Sequence, residues 1–183
     1  MKKNETYYNN NTLKSIFYTD DNDDLHNPNG PAIIRYNTEG FEIDIKYYIH
    51  GKLHRLDGPA SISNFADGMP WQLQYHQNGK LHNPNGPSII TYSLSNTITY
   101  KAFYLNNKLT SIDSKPAEIY YDKSGKAKKV IYSKKNKLHR LTGPAITVFN
   151  KHKIKQDYFI NGNKLTELQY LIIKQNFAEE VNN

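Results

Sequence analysis

Apolar residues in this chain alternate with polar ones at a step of two over short stretches, and those stretches recur at a fixed interval. One set holds Ile34 and Tyr36, then Ile62, then Ile90 and Tyr92, then Ile119 and Tyr121. A second set holds Ile45, Leu73 and Val130, followed two residues on by Tyr47, Tyr75 and Tyr132, with Phe103 in the same column. β-Branched and aromatic residues at a period of two predict strands with one face buried. Gly40, Gly68, Asn96 and Gly125 follow the first set, and Gly51, Gly79, Asn107 and Asn136 follow the second. Gly and Asn tolerate positive φ, so both columns predict tight turns, and short turns join antiparallel neighbours. The pattern predicts about ten or eleven strands in an up-and-down meander.

Prolines mark the period. Pro31, Pro59, Pro87, Pro116 and Pro144 are separated by 28, 28, 29 and 28 residues. Each sits in a recurring phrase, clearest as Leu53-His54-Arg55 to Gly58-Pro59-Ala60 and weakest as Leu109-Thr110 to Lys115-Pro116-Ala117. Self-similarity at this period means supersecondary units that need their neighbours to bury a core. The predicted fold class is therefore all-β, an antiparallel β-hairpin repeat array (meander) of about five 28-residue units with a C-terminal capping α-helix. Residues 1–12 read as a flexible N-terminal arm, 13–164 as the β-hairpin repeat domain, and 165–183 as the C-terminal helix and tail. Leu165, Leu168, Leu171 and Ile172 recur at helical spacing, and Thr166 with Gln169 has the form of a capping box. A lid over the last repeat is the first reading of that helix, and a partner-docking helix the second.

Composition narrows the picture. There is no cysteine, which excludes disulfides and thiolate chemistry and accords with a reducing cytoplasm. No apolar run is long enough for a membrane span, and the first residues lack the apolar segment of a secretory signal. Asn, Lys, Ile and Tyr are abundant while Arg occurs only at positions 35, 55 and 140, a bias that points to A/T-rich coding. The net charge of +7 is concentrated late in the chain, and no acid interrupts the stretch from Lys123 to Lys155.

The phrase Tyr47 to Ala60, Tyr-Tyr-x-x-Gly-Lys-Leu-His-Arg-x-x-Gly-Pro-Ala, resembles repeats in proteins of giant DNA viruses and tailed phages. It is also distantly similar to MORN (membrane occupation and recognition nexus) repeats, whose units are β-hairpins laid side by side. MORN units are shorter and carry a Gly-x-Gly pattern that is absent here. The resemblance implies a hairpin array, a viral origin with a host-cytoplasm location, and a host or defence protein as the target class.

Candidate chemistry divides into residues repeated in every unit and residues confined to some. His26, His54, His82 and His139 fill one column, which argues for a turn-stabilising imidazole rather than a metal or acid/base site. No metal site, cofactor or catalytic constellation is expected, and none of the phosphate-loop, zinc-helix or nucleophile-elbow motifs occurs. Tyr48, His76, Tyr100, Tyr104 and Tyr120 are expected on one solvent-facing side of the sheet, where aromatics anchor protein partners. Lys123, Lys126, Lys128, Lys129, Lys134, Lys135, Lys137 and Arg140 are expected to crowd one rim as an anion or nucleic-acid surface. The leading reading is thus a non-enzymatic repeat protein that binds a protein partner. A nucleic-acid module using the basic block of residues 123–155 comes next, and sequestration of a small anion between sheet and helix third. Homo-oligomerisation through an open sheet edge is a further expectation.

Overall fold

A computed structural model describes residues 1–112 and 114–181, with side chains described through residue 176. The chain is an antiparallel β-meander with one C-terminal helix, as the alternation predicts. Its first strand, β1 (Lys2–Tyr7), pairs along its length with β2 (Leu13–Thr19), so residues 2–7 belong to the sheet rather than to an arm.

Each unit then follows one plan. A strand leaves the Gly-Pro phrase, turns, and returns; the first such pair is β3 (Ile33–Tyr36) with β4 (Glu42–Lys46). After a one-residue bend at Tyr47 the chain makes a second, much smaller hairpin, β5 (Tyr48–Ile49) with β6 (Lys52–Leu53). The second unit repeats this as β7 (Ser61–Asn64), β8 (Pro70–Gln74), β9 (His76–Gln77) and β10 (Lys80–Leu81). The third is β11 (Ile89–Tyr92), β12 (Ile98–Ala102), β13 (Tyr104–Leu105) and β14 (Lys108–Leu109). The fourth is β15 (Glu118–Tyr121), β16 (Ala127–Ile131), β17 (Ser133–Lys134) and β18 (Lys137–Leu138). The fifth, β19 (Ile146–Phe149), β20 (Ile154–Ile160) and β21 (Asn163–Leu165), runs into α1 (Glu167–Val181). The long strands form one 13-stranded sheet, and the short hairpins are four separate two-stranded ribbons along one rim.

The expected count of two strands per unit missed the short hairpins, because the aromatic column at Tyr47, Tyr75, Phe103 and Tyr132 reads as strand but stands at the bend. The turns themselves are as predicted. Gly40 and Gly68 at the long turns have φ of 89° and 83°, and Gly51 and Gly79 at the short ones 69° and 78°. Asn96, Asn107 and Asn136 take the same left-handed conformation where glycine is replaced.

The core is not where alternation alone puts it. The chain exposes 11382 Å², against about 9,000 Å² for a compact protein of this mass. That excess is what a single sheet with two wetted faces produces. The fully buried residues are Ala102 at the end of β12 and the small ones after each proline, Ala32, Ala60, Ser88, Ala117 and Ala145. They stand beside the bend, where the N–H of Ala32 bonds the Lys46 carbonyl and its own carbonyl takes the N–H of Tyr18. Units interlock further through the short hairpins: the N–H of Gly51 bonds Leu25, that of Gly79 bonds Leu53, and that of Asn107 bonds Leu81.

Helix α1 starts with the predicted capping box. Thr166 Oγ1 accepts from the N–H of Gln169, and Gln169 Oε1 accepts from the N–H of Thr166. Its anchor, however, is Tyr170, which is 4% exposed, stacks on Tyr158 at 4.6 Å and donates to the Leu141 carbonyl. Leu168, Leu171 and Ile172 face outward instead of sealing the last repeat. No helix among the described residues is long and apolar enough to cross a membrane, and residues 182–183 of the expected tail lie outside the described ones.

Candidate docking surfaces of the sheet

The histidine column is built into the scaffold. Nδ1 of His26, His54, His82 and His139 accepts the backbone N–H of His50, Asn78, Asn106 and Asn161, each at the tip of the next short hairpin. Thr110, which replaces histidine in the weak unit, does the same for Lys135 through Oγ1. A nitrogen that accepts this bond leaves the ring proton on Nε2, so a neutral imidazole in this role has no free lone pair for a metal. This bears on one cluster that sequence reasoning did not assemble: Asp20, His26 and His50 converge within 4.8 Å, and the rings of His26 and His50 lie 4.3 Å apart. His50 sits off the histidine column and Asp20 before the first repeat, so no periodic signal joined them. Asp20 bonds His50 Nδ1 at 2.9 Å, and that bond holds its carboxyl below the usual range. Asp20 closes its own turn by accepting the N–H groups of Asn22 and Asp24, and its bond to His50 ties that turn to the first short hairpin.

The two arginines of the repeat phrase are likewise structural. Arg55 lies over the Tyr47 ring at 4.1 Å and Arg140 over Tyr132 at 3.7 Å. Arg140 also donates to the Pro144 carbonyl, as Asn27 and Asn83 do to Pro31 and Pro87 in the other units. A Cβ on Gly58 would approach the Arg55 guanidinium carbon to 2.9 Å, so a side chain there would push the arginine aside. Arg140, from the predicted anion-binding set, is thus placed against Tyr132 and the Pro144 carbonyl.

The remaining lysines do not crowd one rim. Lys123 and Lys126 belong to the turn before β16, whereas Lys134, Lys135 and Lys137 belong to the short hairpin after it. In a meander, successive turns lie at opposite ends of a strand, and the five residues of β16 span about 17 Å. Lys128 and Lys129, adjacent within β16, point to opposite faces.

The tyrosine set is partly assembled. Tyr100 and Tyr120 are direct cross-strand partners with rings 4.8 Å apart, and both hydroxyls donate to Glu118 Oε1. Lys129 lies 5.4 Å from the Tyr120 ring. Burial, followed by the Glu118 contact, raises the Tyr100 pKa, and burial also raises Tyr104 and Tyr120. Tyr48 belongs to the first short hairpin, two units from Tyr104. His76 is 8% exposed and bonded to Gln74, so it is withdrawn from any partner, and burial lowers its pKa.

The opposite face carries a continuous cross-strand row: Ile16, Ile34, Ile45, Ile62, Leu73 and Ile90, each directly paired with the next. None reaches full burial. Trp71, two residues before Leu73 at the bulge of β8, is 38% exposed, and Phe41 and Met69 at the adjoining turn rim are 45% and 46% exposed. The row breaks at Lys101, which pairs with Ile90. Beyond the break a 740 Å³ cleft opens between the β11–β12 and β15–β16 turns, lined by Leu94, Thr97, Thr99, Tyr121, Lys123 and Lys128. Sequence reasoning assigned the isoleucine row to a buried face, since alternation reports which residues share a side and not whether anything covers it. Comparison of the chain with protein-family models, curated proteins and solved structures gives no match.

Proposed function

We propose that this chain is a non-enzymatic docking platform for a protein partner, engaged through the Ile16–Ile90 face. The observation that carries the reading is that six half-buried aliphatic residues, bordered by the exposed Trp71, Phe41 and Met69, form one contiguous cross-strand apolar row. Contiguous exposed apolar area of this kind is characteristic of interaction sites, and aromatic residues at its border are the usual anchors. The histidines of the repeat column and Arg140 are bonded into the turns, which supports a scaffold role for them. The division of the lysines between two rims and two faces weighs against a continuous nucleic-acid track. The cleft beside Leu94 supports a second reading, an organic anion held by Lys123 and Lys128, at the turn rim rather than between sheet and helix.

A photo-crosslinking residue placed at Trp71 should give a discrete protein adduct in cells, and one placed at Tyr100 on the other face should not. Ile62→Lys should abolish the adduct at Trp71 while leaving the fold intact. Equal adducts at both positions would remove the assignment of the face.

A further inference from the structure

The two edges of the sheet differ. At the C-terminal edge β21 is three residues long and leads directly into α1. At the N-terminal edge β1 is six residues long, every one exposed, and among the described residues it pairs with β2 alone. An unpaired row of N–H and C=O groups is a template for another strand. Two of the usual blunting devices are out of play, since β1 has no proline and its bulge lies at the far end, between Thr6 and Tyr7, which leaves the charges of Lys2, Lys3 and Glu5 to decide what can pair there.

The side chains of β1 specify what such a strand would be. Lys3 and Glu5 flank Asn4 on one face and form an ion pair at 2.6 Å. A twofold axis normal to the sheet brings up a second β1 antiparallel, and only registers centred on a residue keep side chains on matching faces. Centring on Lys3 sets lysine opposite lysine, and centring on Glu5 sets glutamate opposite glutamate. Centring on Asn4 sets Lys3 opposite Glu5 and Glu5 opposite Lys3, which closes the four charges into an alternating ring. Opposite charges directly across a strand pair stabilise it and like charges do the reverse.

We propose that β1 is a self-recognition edge and that the chain forms a twofold dimer through it, in the Asn4-centred register. Because the axis is normal to the sheet, the same face of both copies points the same way, and the ring of Lys3 and Glu5 stands on that face between the two apolar strips, since Glu5 pairs directly with Ile16. Because the other edge leads into α1, pairing stops at two copies and does not propagate. The interface is small and polar, which places it among weak, reversible associations.

Sedimentation velocity over low to several-hundred micromolar protein tests this directly. The wild type should show a monomer–dimer equilibrium. Lys3→Glu alone and Glu5→Lys alone should each be monomeric, because each sets like charges opposite. An equimolar mixture of those two variants should associate again, and the double variant K3E/E5K should dimerise by itself. Association in the mixture shows that the single variants still fold, and the double variant checks the charge register independently. A wild type that stays monomeric throughout would overturn the proposal, as would single variants that associate like the wild type. Neither result touches the docking face, which the crosslinking at Trp71 tests separately.

Discussion

Single residues in this chain do two kinds of work, and the repeat makes them separable. Arg140 stacks on Tyr132 and holds the Pro144 carbonyl, so Arg140→Ala should cost about 1–2 kcal/mol in urea unfolding, with Arg140→Lys recovering only part because it lacks the planar fork. The histidines predict a pH dependence. Burial lowers the pKa of His139 and His76 below the unfolded value, so the unfolded chain takes up protons first as pH falls. Their contribution is complete above the unfolded pKa of 6.5 and is lost as pH drops through the lower folded values. Asp20, held down by His50, adds a loss in the same direction at more acidic pH. Urea midpoints should therefore decline on going below neutrality, and His139→Thr, which copies the threonine that the weak unit carries at Thr110, should flatten part of that slope. The turn residues were the most legible feature of the sequence, since Gly and Asn at positive φ answer to a local steric rule. Asp20 and His50 were not, since their meeting depends on how the first short hairpin folds back toward β2.

At the scale of elements, the long strands could be read from a period of two, but the short hairpins could not. An aromatic column that continues the alternation conceals the bend at Tyr47 and its equivalents, and only the total burial of Ala60 and its counterparts reveals the second ribbon. The same limit applies to β1, whose Lys-Lys-Asn-Glu-Thr-Tyr is too polar to announce a strand and is recruited by β2. The helix shows how spacing alone misassigns a face. Its leucines have the right interval, yet Tyr170 takes the buried position because its ring matches Tyr158 and its hydroxyl reaches a carbonyl. Tyr170→Ala should lower the thermal midpoint clearly, through a loss of unfolding free energy of about the 3–5 kcal/mol typical of a buried aromatic or somewhat less at this edge position. Leu168→Gln and Leu171→Gln should each stay within about 0.5 kcal/mol of the wild type.

For the whole molecule, stability is a sum over neighbours. Each unit bonds the one before it through the same backbone positions, and among the described residues the long strands of each unit pair only with those of adjacent units. Removal of residues 59–86, which joins Gly58 to Pro87 and preserves the phrase, should give a shorter array that still folds. Its urea m-value should fall roughly in proportion to the length removed. A collapse to an unfolded chain would show that the units are less interchangeable than their bonding suggests.

The placement of the two ends at opposite edges of a meander also sets how the protein yields to force. Tension applied between β1 and α1 acts across the strands, so it peels them one pair at a time instead of shearing all the bonds of a pair together. Each unit released would add about 95 Å of slack for its 28 residues. Extension should therefore proceed at low force in near-equal steps, and the protein would behave under load as an extensible tether.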